Sequence, residues 1–218
     1  MQKFGTSTPI TAVVDIPAGR IQLIAADRAD ATVEVLPADP SKSRDVKVAE
    51  QTTVEYADGV LRIVAAAKNQ VLGSSGSIEV TVQLPTGSQV EAKAAGAEFR
   101  AVGRFGDVSF DGAQGEIKVD EAASVRFATK AGNVSVGRLN GSGEITTLQG
   151  DLTIDEAVSG TVVLSTQSGN ISVGSAASAA LDAGTTVGRV QNSLKNSGET
   201  DLTIKATTVQ GDITAHSL

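Results

Sequence analysis

Six glycines, Gly115, Gly132, Gly150, Gly169, Gly188 and Gly211, recur at intervals of 17, 18, 19, 19 and 23 residues through the second half of the chain. Each opens the same short phrase: a polar or charged residue, then apolar-x-apolar. Gly150-Asp151-Leu152-Thr153-Ile154 and Gly169-Asn170-Ile171-Ser172-Val173 show it most cleanly. A unit of about 19 residues cannot enclose a core of its own, so successive units must stack and share one. A second apolar series runs about half a period out of phase: Val108/Phe110, Val125/Phe127, Ile145/Thr147, Val162/Leu164, Leu181/Ala183 and Leu202/Ile204. Two strand signals per period predict one strand in each of two stacked sheets. The expected fold is therefore all-β: a β-solenoid, or β-helix-like coil, of about six turns with no substantial helix. Right-handed coiling is expected because parallel crossovers are overwhelmingly right-handed.

Two further columns belong to the same period. Thr129, Thr147, Thr166, Thr185 and Thr208 each stand three residues before a repeat glycine. In a stack with strands ~4.8 Å apart they lie above one another, where threonine suits a strand and hydroxyls can bond along the ladder. The position after the glycine reads Glu116, Asn133, Asp151, Asn170, Arg189 and Asp212, so acids never fall on adjacent rungs. That spacing avoids like-charge repulsion and fits turn and stacking residues. The glycines supply the coil corners. Only 3% of residues are aromatic, as a thin two-sheet core requires. Phe99, Phe105, Phe110 and Phe127 cluster where the repeat begins.

The first half has the same period-2 alternation without the repeat. Ile78, Val80, Val82 and Leu84 alternate with Glu79, Thr81 and Gln83, and Ile21/Leu23, Val33/Val35 and Leu61/Ile63 follow suit. All five prolines precede residue 90, and the texture changes near 94–96. Residues 1–94 are read as an N-terminal β region capping the coil, and 95–218 as the repetitive solenoid, continuous with it. Gly73-Ser74-Ser75-Gly76-Ser77 reads as a loop, since a phosphate cradle needs a Lys and a following helix.

Composition narrows the chemistry. There is no Cys and only one His, His216, so thiol nucleophiles, Cys zinc sites and multi-histidine metal sites are excluded. The net charge is −7 with no basic patch, which disfavours nucleic acid. No run of about 20 apolar residues offers a membrane span, and no apolar segment follows Met1 as a secretory signal would. The chain reads as cytoplasmic as given, and surface-exposed only through an export route not visible in it. No cofactor is expected. The catalytic candidates are carboxylates: Asp120-Glu121 and Asp155-Glu156 recur in register, and Asp151 follows a repeat glycine. Paired carboxylates can cleave glycosidic bonds, but neighbours on a strand point to opposite faces. Asp107, Asp151 and Asp212 sit at corners where calcium could be held, although the calcium-binding nonapeptide is missing. Lys195 lies in 192–198, the largest insertion in the repeat, where solenoids often bind.

The order Ile16-Pro17-Ala18-Gly19-Arg20-Ile21-Gln22-Leu23, then Val33-Glu34-Val35, Gly59-Val60-Leu61-Arg62-Ile63 and Ile78-Glu79-Val80-Thr81-Val82-Gln83-Leu84-Pro85, followed by recurring Thr-x-x-Gly-[Asp/Asn]-[Val/Ile/Leu], resembles the bacterial putative-adhesin family. The resemblance covers about residues 10 to 216. It implies a β-solenoid domain and carries no catalytic residues. The functional expectation is a non-enzymatic structural or interaction module with a protein or glycan partner, working through flat sheet faces or an open end. The alternative is a carbohydrate-active β-helix enzyme using Asp120, Asp151, Asp155 or Glu156. Because only His216-Ser217-Leu218 follow the last strand, 212–215, that strand is expected to leave an open sheet edge, and self-association through this C-terminal solenoid end is expected.

Overall fold

A computed structural model describes residues 1–6, 8–65 and 76–218. The loop expected at 73–77 has Gly73, Ser74 and Ser75 outside the described residues. The elements run β1 (Gln2–Gly5), β2 (Thr11–Ala26), β3 (Asp30–Pro37), α1 (Ser43–Gln51), β4 (Thr52–Ala57), β5 (Val60–Ala65), β6 (Ile78–Pro85), β7 (Gln89–Gln114), β8 (Ile117–Ala128), β9 (Val134–Leu139), β10 (Gly143–Thr146), β11 (Leu152–Ala157), β12 (Gly160–Ser168), β13 (Ile171–Ser175), β14 (Ala179–Val187), β15 (Val190–Ser193), β16 (Leu202–Gln210) and β17 (Ile213–Ser217). They form two compact units, Met1–Gly115 and Glu116–Leu218.

In the first unit β2 turns a corner at Gly19, where φ is +125°. Its first half lies between β5 and the start of β7, and its second half between β6 and residues 97–102 of β7, all parallel. One register, Thr11↔Gln89 through Ile24↔Val102, holds across that corner. Antiparallel strands extend the sheets: β4 on β5, β3 on β6 and β1 on β3. Alternation decides which side chains enter. Ile21, Leu23, Ile63, Ile78, Val80, Val82 and Phe99 are all at most 1% exposed. Each such aliphatic burial contributes about 1.5–3 kcal/mol. Helix α1, with strands β1 and β4, was not read from the sequence pattern. Its Asp45 is 6% exposed and accepts the Ser77 backbone N–H at 2.9 Å through Oδ1.

The second unit is a stack of two-strand coils. One sheet runs second half of β8, β10, β12, β16, β14, and all pairs are parallel. The other runs first half of β8, β9, β11, β13, β17, β15, again parallel. Inward side chains such as Phe127, Ile145, Leu164, Ile204, Ile154, Val173 and Ile213 are at most 1% exposed. Two expectations are corrected here. Ile145 lies opposite Phe127 and Leu164, and Ile204 lies opposite Val162 and Leu181. Counted back from the glycines the true series is Val125/Phe127, Gly143/Ile145, Val162/Leu164, Leu181/Ala183 and Ile204/Ala206. A slip of two residues leaves every side chain on the same face, so alternation alone could not set this register.

The second correction concerns the end of the stack. The last coil, β16–β17, is interior: it pairs with β12–β13 on one side and with β14–β15 on the other. The open edge belongs to β14–β15 instead. Side-chain chemistry accounts for the inversion. Row by row, Ala215 lies between Val173 and Asn192, so β15 places an amide at a core position. Interior coils would bury it at a cost of about 1–3 kcal/mol. At the end of the stack Asn192 is exposed and its Oδ1 accepts the Leu194 N–H at 3.0 Å. The more apolar coil, with Leu202, Ile204, Ala206, Ile213 and Ala215 all at most 1% exposed, takes the interior place.

Candidate functional site

The repeat glycines form one wall of each coil. Gly132, Gly150, Gly169, Gly211 and Gly188 all have φ between +134° and +154°, and Gly115 has +135°. A Cβ on Gly150 would lie 2.2 Å from the Gly132 carbonyl oxygen, and one on Gly169 would lie 2.0 Å from that of Gly150. Gly211 against Gly169 and Gly188 against Gly211 give 2.0 Å each. Glycine is thus required twice, for its backbone angle and for the close approach of the next coil.

The position after each glycine is tied to its neighbour. Asn133 Oδ1 accepts the Asp151 N–H at 2.9 Å, and Asp151 Oδ1 the Asn170 N–H at 2.7 Å. Asn170 Oδ1 accepts from Asp212 at 2.9 Å, and Asp212 Oδ1 from Arg189 at 2.9 Å. The chain of bonds follows the spatial order of the coils, including the inversion, and acids still never occupy adjacent rungs. The ladder stops at Arg189, whose side chain carries no acceptor.

The threonine column lies beside it. Thr129, Thr147, Thr166 and Thr208 are 6%, 1%, 3% and 5% exposed, and Thr185 is half-buried. Thr166 donates to the Gly150 carbonyl at 3.2 Å, Thr208 to Gly169 at 3.1 Å and Thr185 to Gly211 at 3.0 Å. Thr147 donates within its own coil, to Gln149 at 3.3 Å. Hydroxyl and glycine therefore meet at one carbonyl, that of the adjacent coil.

The carboxylate candidates are dispersed. Glu121, Arg138 and Glu156 share one row. Arg138 pairs with Glu156 through Nη1, its Nε donates to Asn140 Oδ1 at 3.1 Å, and Asn140 Nδ2 donates to Glu121 Oε1 at 2.9 Å. Glu156 is thereby engaged by a cation and Glu121 by an amide. Asp120 and Asp155 lie on the outer face two rungs apart, about 10 Å by strand spacing, with Gly137 between them. Asp151 is spent on the ladder. Among the described residues no group of three or more His, Asp or Glu could hold a metal ion; Asp107, Asp151 and Asp212 do not converge. A shallow depression of about 260 Å³ is lined by Gly96, Ala97, Glu98, Gln114 and Gly115, and its one carboxylate, Glu98, pairs with Arg20 at 3.2 Å. Lys195 contributes backbone: its carbonyl accepts the Ala179 N–H at 3.1 Å.

The strongest charge effect lies in the first unit. A hydrogen bond from Arg28, at 2.6 Å, holds the Asp30 carboxyl at about 2, with Lys3 at 2.8 Å assisting. Arg28 also donates to Gln83 Oε1. This cluster fastens the turn between β2 and β3 to β6 and β1. Among the described residues no helix is long and apolar enough to cross a membrane.

The family described as Toastrack DUF4097 matches residues 13–217. No curated protein matches the chain. Among solved structures, a putative adhesin from Bacteroides fragilis is 11% identical, with 98% of this chain and 95% of that chain covered and a TM-score of 0.47. A putative cell adhesion protein from Clostridium sporogenes is 13% identical over 98% and 94%, with a TM-score of 0.38. A putative lipid binding protein from Parabacteroides distasonis is 12% identical over 98% and 95%, with a TM-score of 0.38.

Proposed function

The chain belongs to the Toastrack DUF4097 family, and from that premise we propose that it is a non-enzymatic, adhesin-like interaction module whose working parts are its flat sheet faces and its open coil edge. The observation that carries this reading is the use made of the carboxylates. Asp151 and Asp212 accept backbone N–H groups of the next coil, and Glu156 is paired with Arg138. Glycoside cleavage needs two carboxyl groups converging on one bond from about 5 to 9.5 Å apart. Here Asp151 and Asp212 are spent on the ladder and Glu156 on Arg138, bonds that tie one coil to the next. The outer face of the second sheet carries Ser135, Thr153, Ser172 and Thr214 in one row across successive rungs, a level hydroxyl surface suited to broad, shallow contact with a protein or glycan.

The test is to challenge the full chain with a panel of oligosaccharides, scoring both release of reducing ends and retention on immobilised glycans. The expected result is no turnover, and binding unaltered by Asp155→Asn or Glu156→Gln. Sugar release that Asp155→Asn abolishes would overturn the reading in favour of a carbohydrate-active enzyme.

A further inference from the structure

The open edge at β14 has properties that the isolated unit does not explain. In a parallel ladder alternate residues turn both N–H and C=O toward the same neighbour. Ser178 gives its carbonyl to Leu202, on the β16 side. With the register unbroken from Ala179↔Leu202 to Thr185↔Thr208, Leu181, Ala183 and Thr185 turn their N–H and C=O groups away from β16. Among the described residues β14 pairs with β16 alone. Among the described residues only the Ala179 N–H is met on that side, by the Lys195 carbonyl. The strand lacks two of the usual devices against edge pairing: residues 179–187 hold no proline and no lysine. Its one charge, Asp182, stands opposite Lys205 in the ladder. Val187 and Val190 are 62% and 43% exposed at the same end.

Gly184 is the second observation. It lies inside a strand, where glycine costs about 0.5–1 kcal/mol relative to alanine. Its φ is not positive, and a Cβ there would meet nothing within 4 Å. Nothing in the unit requires glycine at this position, and a strand glycine often marks close approach of another backbone.

We propose that β14 pairs antiparallel with β14 of a second copy about a two-fold axis at Gly184. The inference rests on the reading of the chain as an interaction module and names the partner at its open edge. In this register Ala183 and Thr185 of each copy exchange edge-facing N–H···O=C bonds. Leu181 meets the partner strand's position 187, an exposed valine. Asp182 meets a threonine hydroxyl at position 186 on the outer side, and glycine faces glycine at the axis. Centring one residue earlier in the outward row would set Asp182 against its own copy. A foreign peptide would satisfy the N–H groups, but the chain's own strand also supplies a valine for Leu181 and a glycine for Gly184.

The chain has no Cys, which makes the axis directly addressable. Antiparallel non-hydrogen-bonded pairs have Cα atoms ~4.5 Å apart, within disulfide range of about 4.4–6.8 Å. Gly184→Cys is therefore expected to form an intermolecular disulfide at least tenfold faster than Asp182→Cys, whose two copies lie four residues out of register. Light scattering of the unaltered chain across a concentration series should rise above 22.1 kDa toward twice that mass. Ala183→Pro, which removes an edge-facing N–H that β16 does not use, should shift that rise to at least tenfold higher concentration with circular dichroism retained. A monomer throughout the series, or a dimer in which Gly184→Cys crosslinks no faster than Asp182→Cys, would overturn the proposal. Either result would leave the sugar-release test, and with it the interaction-module reading, standing.

Discussion

Gly169→Ala measures how tightly the coils are stacked. The added Cβ would lie 2.0 Å from the Gly150 carbonyl oxygen, 2.5 Å from its carbon and 3.1 Å from the Asp151 nitrogen. Relief needs a shift of about 1 Å between two coils, since real Cβ contacts rarely fall below ~3 Å. That shift strains two bonds that meet there, Thr166 to the Gly150 carbonyl at 3.2 Å and Asn170 N–H to Asp151 at 2.7 Å. Overpacking costs about 1–3 kcal/mol, an unfavourable backbone angle about 1–3 kcal/mol, and each weakened hydrogen bond up to about 1 kcal/mol. A total near 4 kcal/mol is a large share of the ~5–15 kcal/mol that holds a domain folded. At ~2–4 °C per kcal/mol for chains of this size it lowers Tm by about 8–16 °C. Gly198→Ala is the control: φ is +105° but nothing lies within 4 Å, so it carries the angle penalty of about 1–2 kcal/mol alone. Thermal and urea unfolding of the two variants separate angle from contact. Equal losses in both would refute the claim that close coil contact selects glycine at this corner.

Thr166→Val keeps the shape of a side chain that is 3% exposed and removes its hydroxyl. A loss of about 1 kcal/mol in urea unfolding is expected, against a smaller one for Thr207→Val, whose hydroxyl bonds Ser165 Oγ at 3.3 Å on the exposed face, where water can replace it. Ala215→Asn places an amide in an interior coil and should cost about 1–3 kcal/mol, whereas Asn192→Val in the same row of the end coil should leave stability within about 0.5 kcal/mol. Asp30 has its carboxyl pKa lowered to about 2 from 3.8. Its contribution is therefore complete above pH 4 and lost as pH falls toward 2. The urea midpoint of the unaltered chain should drop across that window, and Asp30→Asn should flatten the drop.

The coil period, the two strands per coil and the corner glycines were legible because stacking repeats the same steric demand at every rung. Gly150 faces the carbonyl of Gly132 and Gly169 that of Gly150, so the same residue recurs at each rung. The register within a coil was less legible. Ile145 and Thr147 are two residues apart on one face, and alternation cannot choose between them; only the distance to the following glycine does. The inverted last coil left a signal in Asn192, which stands where other coils carry Val136, Ile154, Val173 or Ala215. Read as an end-coil residue, it marks β15 as the solvated edge. Helix α1 was hidden because Val46 and Val48 alternate around Lys47 as in a strand. Its conformation is secured by a long-range bond, Asp45 to Ser77, that no local pattern displays. The candidate carboxylates were visible as residues, but their roles were not. Whether Asp151 faces a substrate or a backbone N–H depends on the adjacent coil, 19 residues away.

The central claim is that the chain's last coil lies inside the stack and the coil before it forms the edge. Hydrogen exchange followed by mass spectrometry, at high dilution, tests this directly. Amides of β16 and β17 should be protected to the level of β11 and β13, while peptides from β14 and β15 exchange fastest in the second unit. Fast exchange of β16 and β17, with β14 and β15 protected, would place the coils in simple chain order and contradict the account.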